Sequence, residues 1–236
     1  MQLIYFDTET TGLEKDARLV QLAYKTSKTG KSVNEYFKPP IPISFGAMAV
    51  HHITEKMVEE KPVFQGSATQ AELISLLADH IPVAHNAAFD IQILKNDDVL
   101  IDRYIDTLRL ARHLITSEQY TLQYLRYFLN LDTDGLSHDA HGDVMVLEAL
   151  FSHLFNLVQE KFALANDEEI FAKMLELTTT PVLLKTFSFG KYFGKTFAEV
   201  SLSDRGYLEW LHGSESKKAK SEQNEDMIHT LNHYLK

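Results

Sequence analysis

The chain has 236 residues, of which 44% are hydrophobic and 11% aromatic; it carries a formal net charge of -10 and no cysteine. That size fits one large domain or a medium domain with a small appendage, and the composition can bury a core, which excludes a disordered chain. The lack of cysteine excludes a disulfide framework, a zinc–cysteine site and a thiol nucleophile, and it fits a reducing compartment. No basic-then-apolar leader is visible and no apolar run approaches the ~18–20 residues that span a bilayer, so a cytoplasmic protein that does not enter a membrane is expected.

Leu3-Ile4-Tyr5-Phe6, closed by Asp7, reads as a buried strand. Partial alternation over residues 19–26 and 32–38, with a Thr-Gly-Lys turn between, predicts a three-stranded antiparallel meander. Pro39, Pro40 and Pro42 then break regular structure. Thr54 is placed to cap a short helix over 55–59, and Ser67 a helix over 68–79 with Leu73, Ile74, Leu76 and Leu77 inward. Residues 82–85 read as the next strand and 87–95 as the helix after it. A short strand over 104–106 feeds a helix over 108–114, and another helix covers 121–129. Val144, Leu147, Phe151, Leu154 and Val158 repeat at three- and four-residue spacing, which predicts one long amphipathic helix. A helix over 166–177 follows. Three strands and then helix–strand alternation give a mixed α/β sheet flanked by helices.

The texture changes near Pro181. Residues 187–197 are aromatic, glycine-punctuated and basic, and read as two short strands joined by a glycine turn. A helix over 204–211, a polar linker-like stretch over 214–221 and a terminal helix over 223–235 complete a small α+β module. The expected organisation is a main domain over 1–165, a connecting helix and linker over 166–180, and the module over 181–236. Charge divides in the same place. Residues 181–236 hold 8 basic and 7 acidic side chains, whereas 1–180 hold 15 and 26. The acidic part lacks the basic footprint usual for binding a polyanion. Divalent cations in a carboxylate cluster would supply the missing positive charge.

Three clusters can carry chemistry. In Asp7-Thr8-Glu9, residues two apart on a strand share a face, so two carboxylates point the same way at a strand end. They repel unless a cation sits between them, and hard oxygen ligands suit Mg2+ or Mn2+. In His85-Asn86-Ala87-Ala88-Phe89-Asp90 the acid falls in the first turn of a helix. In His138-Asp139-Ala140-His141-Gly142-Asp143 a histidine precedes the long helix and an acid lies inside it. Each has a bland explanation alone: a solvated strand end, an acid favoured by the helix dipole, an N-cap box. Together, four carboxylates and a histidine at strand ends and helix starts form the inventory of a two-metal phosphodiesterase. A neutral imidazole can take the proton of an attacking water.

Asp7-x-Glu9, His85-Asn86-x-x-Phe89-Asp90 and His138-x-x-x-x-Asp143 resemble, in order, the three motifs of the proofreading-type 3′→5′ exonucleases, the DEDD family in its histidine branch. The resemblance spans residues 1–165 and implies a ribonuclease H-like fold. It implies that Asp7 bridges two Mg2+ ions, which Mn2+ can replace, and that Glu9 and Asp143 complete the first site. Asp90 would hold the second ion, and His138 would be the general base. Residues 43–54 resemble the family segment that packs on the terminal nucleotide. Substrate contacts are thereby implied for Thr8, Thr10, Gly12 and Leu13, for Val50 and His51, and for His85, Asn86 and Phe89. The sequence departs from the pattern at Asp139, where a small or basic residue commonly follows the motif histidine. Phe187–Phe197 followed by residues 204–211 is similar to the small module that ends the exodeoxyribonuclease X-type members of this family.

Gly190-x-x-x-Gly194-Lys195-Thr196 is one residue short of a phosphate-binding loop, which removes an ATPase. Lys185, Lys191, Lys195 and Arg205 can instead meet phosphates, with Phe189, Tyr192 and Phe193 on bases, or the rings can form the module's own core. The expected function is hydrolysis of DNA from a 3′ end, single-stranded or partly duplex, releasing nucleoside 5′-monophosphates in repair or end processing. Trimming of RNA, polymerase proofreading and a non-catalytic binding module are the alternatives. The oligomeric state stays open.

Overall fold

A computed structural model describes residues 1–131 and 140–236. The chain divides into two compact units, Met1–Thr178 and Thr179–Lys236.

The first unit is built on a five-stranded sheet. Its strands are β1 (Gln2–Thr10), β2 (Leu19–Thr26), β3 (Ser32–Tyr36), β4 (His80–Ala84) and β5 (Ile105–Asp106), in the order β3-β2-β1-β4-β5. β1 runs antiparallel to β2, as does β2 to β3, whereas β1–β4 and β4–β5 are parallel. The central strand has both faces covered, which explains its unbroken apolar start. Leu3 and Tyr5 join one core, and Ile4 and Phe6 join the other. β1 runs three residues past Asp7, where the apolar run closes, because β2 continues to pair with it as far as Thr10.

Between β3 and β4 lie α1 (Phe45–His51), α2 (Glu55–Val58) and α3 (Ala68–Asp79). Ile43, Ile53 and Val58 close a small core against Val20 of β2, so the α1–α2 segment is strapped to the sheet. Ser67 caps α3 through the Gln70 amide, as expected, and Leu73 is buried. Ile74 is not inward: it is 48% exposed, because a 100° step from Leu73 carries the next residue off the apolar stripe.

α4 (Ala87–Asn96) follows β4, and α5 (Thr107–Leu114) follows β5 with Asp106 as its cap. α6 (Leu122–Phe128), α7 (Ala140–Phe162) and α8 (Asp167–Thr179) complete the unit. α7 is 23 residues long, about 35 Å at 1.5 Å per residue. Val144, Leu147, Phe151, Leu154 and Val158 are all buried, so the predicted stripe is the face that covers Leu3 and Tyr5. No helix among the described residues is long and apolar enough to cross a membrane.

The second unit holds α9 (Phe197–Ser203), α10 (Arg205–Ser216) and α11 (Glu225–Tyr234) around Phe187, Phe197, Leu208 and Leu231. The two strands expected over 187–197 reduce to one antiparallel bridge, Thr186–Thr196, around a single 3-10 turn at Gly190–Tyr192. Gly190 and Gly194 both sit at positive φ, which turns the chain back before a strand can extend. Thr196 and Glu199 then form a capping box that starts α9 where the second strand was expected. The linker-like stretch is also more ordered than expected. α10 runs through Ser216, and the buried Glu215 carboxylate accepts from the Asn224 amide at 2.6 Å.

Candidate active site

β1 alternates its side chains across the sheet. With Leu3 and Tyr5 on the α7 face, Asp7 and Glu9 fall on that face too, while Thr8 turns with Ile4 and Phe6 to the other side. Parallel pairing with β4 covers only Gln2–Tyr5, so both acids lie past the end of that ladder. A register shift between Glu9 and Thr10 ends the regular pairing with β2 just beyond them. α7 opens at the same end and carries Asp143 in its first turn. One carboxylate oxygen each from Asp7, Glu9 and Asp143 lies within 4.8 Å of the other two. Three carboxylate oxygens so close could hold a cation between them, and an all-oxygen donor set fits a hard divalent ion.

Asp90, in the first turn of α4, is 4% exposed. It is not among the three grouped carboxylates but stands on the opposite side of β1. Its Oδ1 accepts from the Thr8 hydroxyl at 2.6 Å and from the Thr8 amide at 3.2 Å. Burial raises its pKa above the usual carboxylate range, and the Thr8 hydrogen bonds oppose that rise. The four acids expected at one point are therefore three in a group and a fourth held by the residue between Asp7 and Glu9. His138 lies outside the described residues.

Several residues expected to touch substrate make hydrogen bonds within the protein. His85 donates from Nε2 to the Tyr120 carbonyl at 2.7 Å and meets the Thr107 hydroxyl through Nδ1 at 2.9 Å. Burial pushes its pKa down to about 4, so the ring is neutral and both nitrogens are occupied. His51 accepts from the Ile53 amide at Nδ1 (2.9 Å) and donates from Nε2 to the Thr10 carbonyl (3.1 Å). Burial lowers its pKa as well, and the ring ties the end of α1 to the end of β1. Thr8 is turned to Asp90, and the Thr10 hydroxyl donates to the Gly12 carbonyl at 2.7 Å. Gly12 is buried, and Phe89 is half-buried against the second core. Leu13 and Val50 do face solvent, at 87% and 58% exposure.

Asn86 is exposed with φ 69°, a left-handed conformation that asparagine tolerates. Its amide donates to Asp106 Oδ1 at 3.0 Å. Asp106 also accepts from the Leu108 amide at 2.9 Å, so one buried carboxylate ties the start of α5 to the turn that delivers Asp90. The sequence reading took Asp106 only as the end of a strand. An acid at a strand-to-helix junction was the available signal. It also missed Gln123 of α6, whose Nε2 donates to Asp143 Oδ1. No motif or spacing marks Gln123, because only the packing of α6 on α7 brings it there.

A family model described as Exonuclease matches residues 4–151, and a second, Exodeoxyribonuclease X-like C-terminal, matches residues 187–213. Exodeoxyribonuclease 10 of Escherichia coli is 33% identical over 97% of this chain and 96% of its own length. DNA polymerase III subunit epsilon of Rickettsia prowazekii is 29% identical over 69% of this chain and 78% of its own. Among solved structures, exonuclease X in complex with 5′ overhanging duplex DNA superposes with a TM-score of 0.58 at 28% identity, over 75% of this chain and 99% of that one. The first match covers well over half of the chain, and the carboxylates it spans converge at the end of β1, so the chain belongs to the exonuclease family.

Proposed function

We propose that the chain is a divalent-metal-dependent 3′→5′ exonuclease that hydrolyses the terminal phosphodiester of DNA. The convergence of Asp7, Glu9 and Asp143 is the observation that carries this reading. Those three residues would hold a divalent ion, with Asp90 contributing to a second. Mg2+ is the proposed ion and Mn2+ its substitute. Bound there, the ions would polarise the scissile phosphate and lower the pKa of water. The protein's own part is positional. Thr8 fixes Asp90, Gln123 fixes Asp143, and α1 is strapped beside the β1 end through His51. Leu13 and Val50 present apolar surface that can pack on a terminal nucleotide. His138 would accept the proton of the attacking water, and a nucleoside 5′-monophosphate would leave.

DNA as substrate is supported by the name of the relative that aligns along nearly the whole chain and by the DNA duplex bound to the structural neighbour. A polymerase-bound proofreading subunit is the weaker reading, since the epsilon relative aligns with only 69% of the chain. A DNA substrate and a cysteine-free chain fit a cytoplasmic enzyme.

The test is shortening of matched 5′-labelled single-stranded DNA, 3′-recessed DNA and RNA, with Mg2+ and with chelator. Chelator-sensitive ladders growing from the 3′ end of DNA, with RNA cut more slowly, are expected. Faster trimming of RNA would move the function to RNA processing, and cleavage from the 5′ end would refute the polarity. His138→Ala is expected to keep DNA binding and to lower turnover by about 10²–10⁴-fold, the usual contribution of a general base.

A further inference from the structure

The C-terminal unit fills its core with two of its aromatic rings and leaves others outside. Phe187 and Phe197 stack at 3.9 Å and are 2% and 0% exposed. Trp210 is 63% exposed and belongs to no core cluster. It extends to the surface a run of rings whose other members, Tyr207 and Tyr192, are half-buried against the core. Its ring lies 5.6 Å from Tyr207, which lies 5.0 Å from Tyr192. Lys191 Nζ stands over both tyrosines, 4.7 and 4.9 Å from their ring centres. Gly190, at φ 68°, lets the Tyr207 hydroxyl approach the turn, since a Cβ there would sit 3.2 Å from it. Lys195 leaves the same turn, its amide bonded to the Tyr192 carbonyl at 2.9 Å, and its side chain is exposed.

Four of the unit's seven carboxylates make hydrogen bonds within it, and Glu209, beside Trp210, pairs with Arg205. Asp226 and Glu215 are buried and accept from the Val182 and Asn224 amides. Glu199 closes the capping box. Asp204 accepts from the Tyr192 hydroxyl, Lys191 and the Tyr207 amide, which hold its pKa down at about 2. Lys191 pairs with Asp204 while remaining exposed, and Lys195, near Glu199, is exposed as well.

We propose that the Tyr192–Tyr207–Trp210 run of the second unit, with Lys191 and Lys195, is a docking face for single-stranded DNA. The exposed Trp210 ring offers a face to an unpaired base, the half-buried tyrosines back it, and the neighbouring ammonium groups can meet the adjoining phosphates. A duplex hides its base faces, so a single strand is the form that uses the rings. The face supplies the phosphate contacts that the strongly acidic first unit lacks. The inference takes its ligand from the proposed function, but it does not depend on cleavage.

Trp210 is the chain's single tryptophan, so its emission reports this face directly. The full chain, held in EDTA, is titrated with an oligodeoxythymidine of about 16 nucleotides, the upper site size of small single-strand binders. Quenching of Trp210 is expected with the same midpoint as the anisotropy of the labelled strand. Trp210→Ala is expected to weaken binding about tenfold, the scale of one lost stacking contact. Lys195→Ala should reduce the slope of log affinity against log salt by about 0.7, one phosphate contact on a single strand. Strand binding with unchanged Trp210 emission and unchanged affinity in both variants would overturn the proposal, as would no binding at all. If quenching persists but no strand is ever shortened, the proposed function fails and the docking face stands.

Discussion

Thr8 is the least conspicuous residue of the Asp7–Glu9 stretch, yet its hydroxyl and amide hold the buried Asp90 carboxylate. Replacing it with valine keeps the shape and removes the 2.6 Å bond to Asp90. The Thr8 amide still donates to that oxygen, so the change removes one hydrogen bond, about 0.5–1.5 kcal/mol. Thr8→Val is therefore expected to lower the urea midpoint and to reduce turnover by misplacing Asp90; an unchanged midpoint would show that Asp90 does not rely on Thr8. His85 makes a different prediction. Its pKa is about 4 in the folded chain against an ordinary 6.5. Between those values the unfolded chain binds the proton more readily, so this contribution to stability is complete above about pH 6.5 and is lost as pH falls toward 4. The loss is at most about 3 kcal/mol at 1.36 kcal/mol per pKa unit. In urea melts from about pH 7.5 to about pH 4.5, the stability gap between the wild type and His85→Gln should shrink as the pH falls. A constant gap would mean that the His85 pKa does not differ between the folded and the unfolded chain.

At the scale of elements, the site depends on where β1, α1, α4 and α7 end. Ser44 caps α1 through the Ala47 amide, and its own amide donates to the Thr11 carbonyl at 2.9 Å. Ser44→Ala removes the cap and is expected to cost about 1 kcal/mol. It should raise KM more than it lowers kcat, because α1 carries Val50 and none of the grouped carboxylates. A fall in kcat with KM unchanged would place α1 in the chemical step. The stripe of α7 and the apolar run of β1 were legible in the sequence because their periods differ and both are long. Asp7 and Glu9 on one face, and Asp143 inside a first turn, followed from the same periods. The hairpin expected near Phe187 did not form, because alternating aromatics look alike in a strand and in a glycine-bounded turn. The Thr196-x-x-Glu199 capping signal was there to be read. The inward turn of His51 and His85 was beyond reach, since each ring is fixed by a carbonyl that only the tertiary fold brings to it.

Across the whole molecule, charge and chemistry separate. The first unit gathers the acids and the exonuclease motifs, and the second carries a near-neutral charge count with rings at its surface. The relatives align over 97% of the chain for exodeoxyribonuclease 10 and over 69% for the epsilon subunit. The most direct test of the account is calorimetric titration of Mn2+ into the wild type and Asp7→Ala, with turnover of a 5′-labelled single strand measured on the same preparations. Tight Mn2+ binding and 3′ shortening are predicted for the wild type, and both should be lost together in a folded Asp7→Ala variant. Near-wild-type shortening by Asp7→Ala would contradict the claim that these carboxylates hold the metal that cuts the strand.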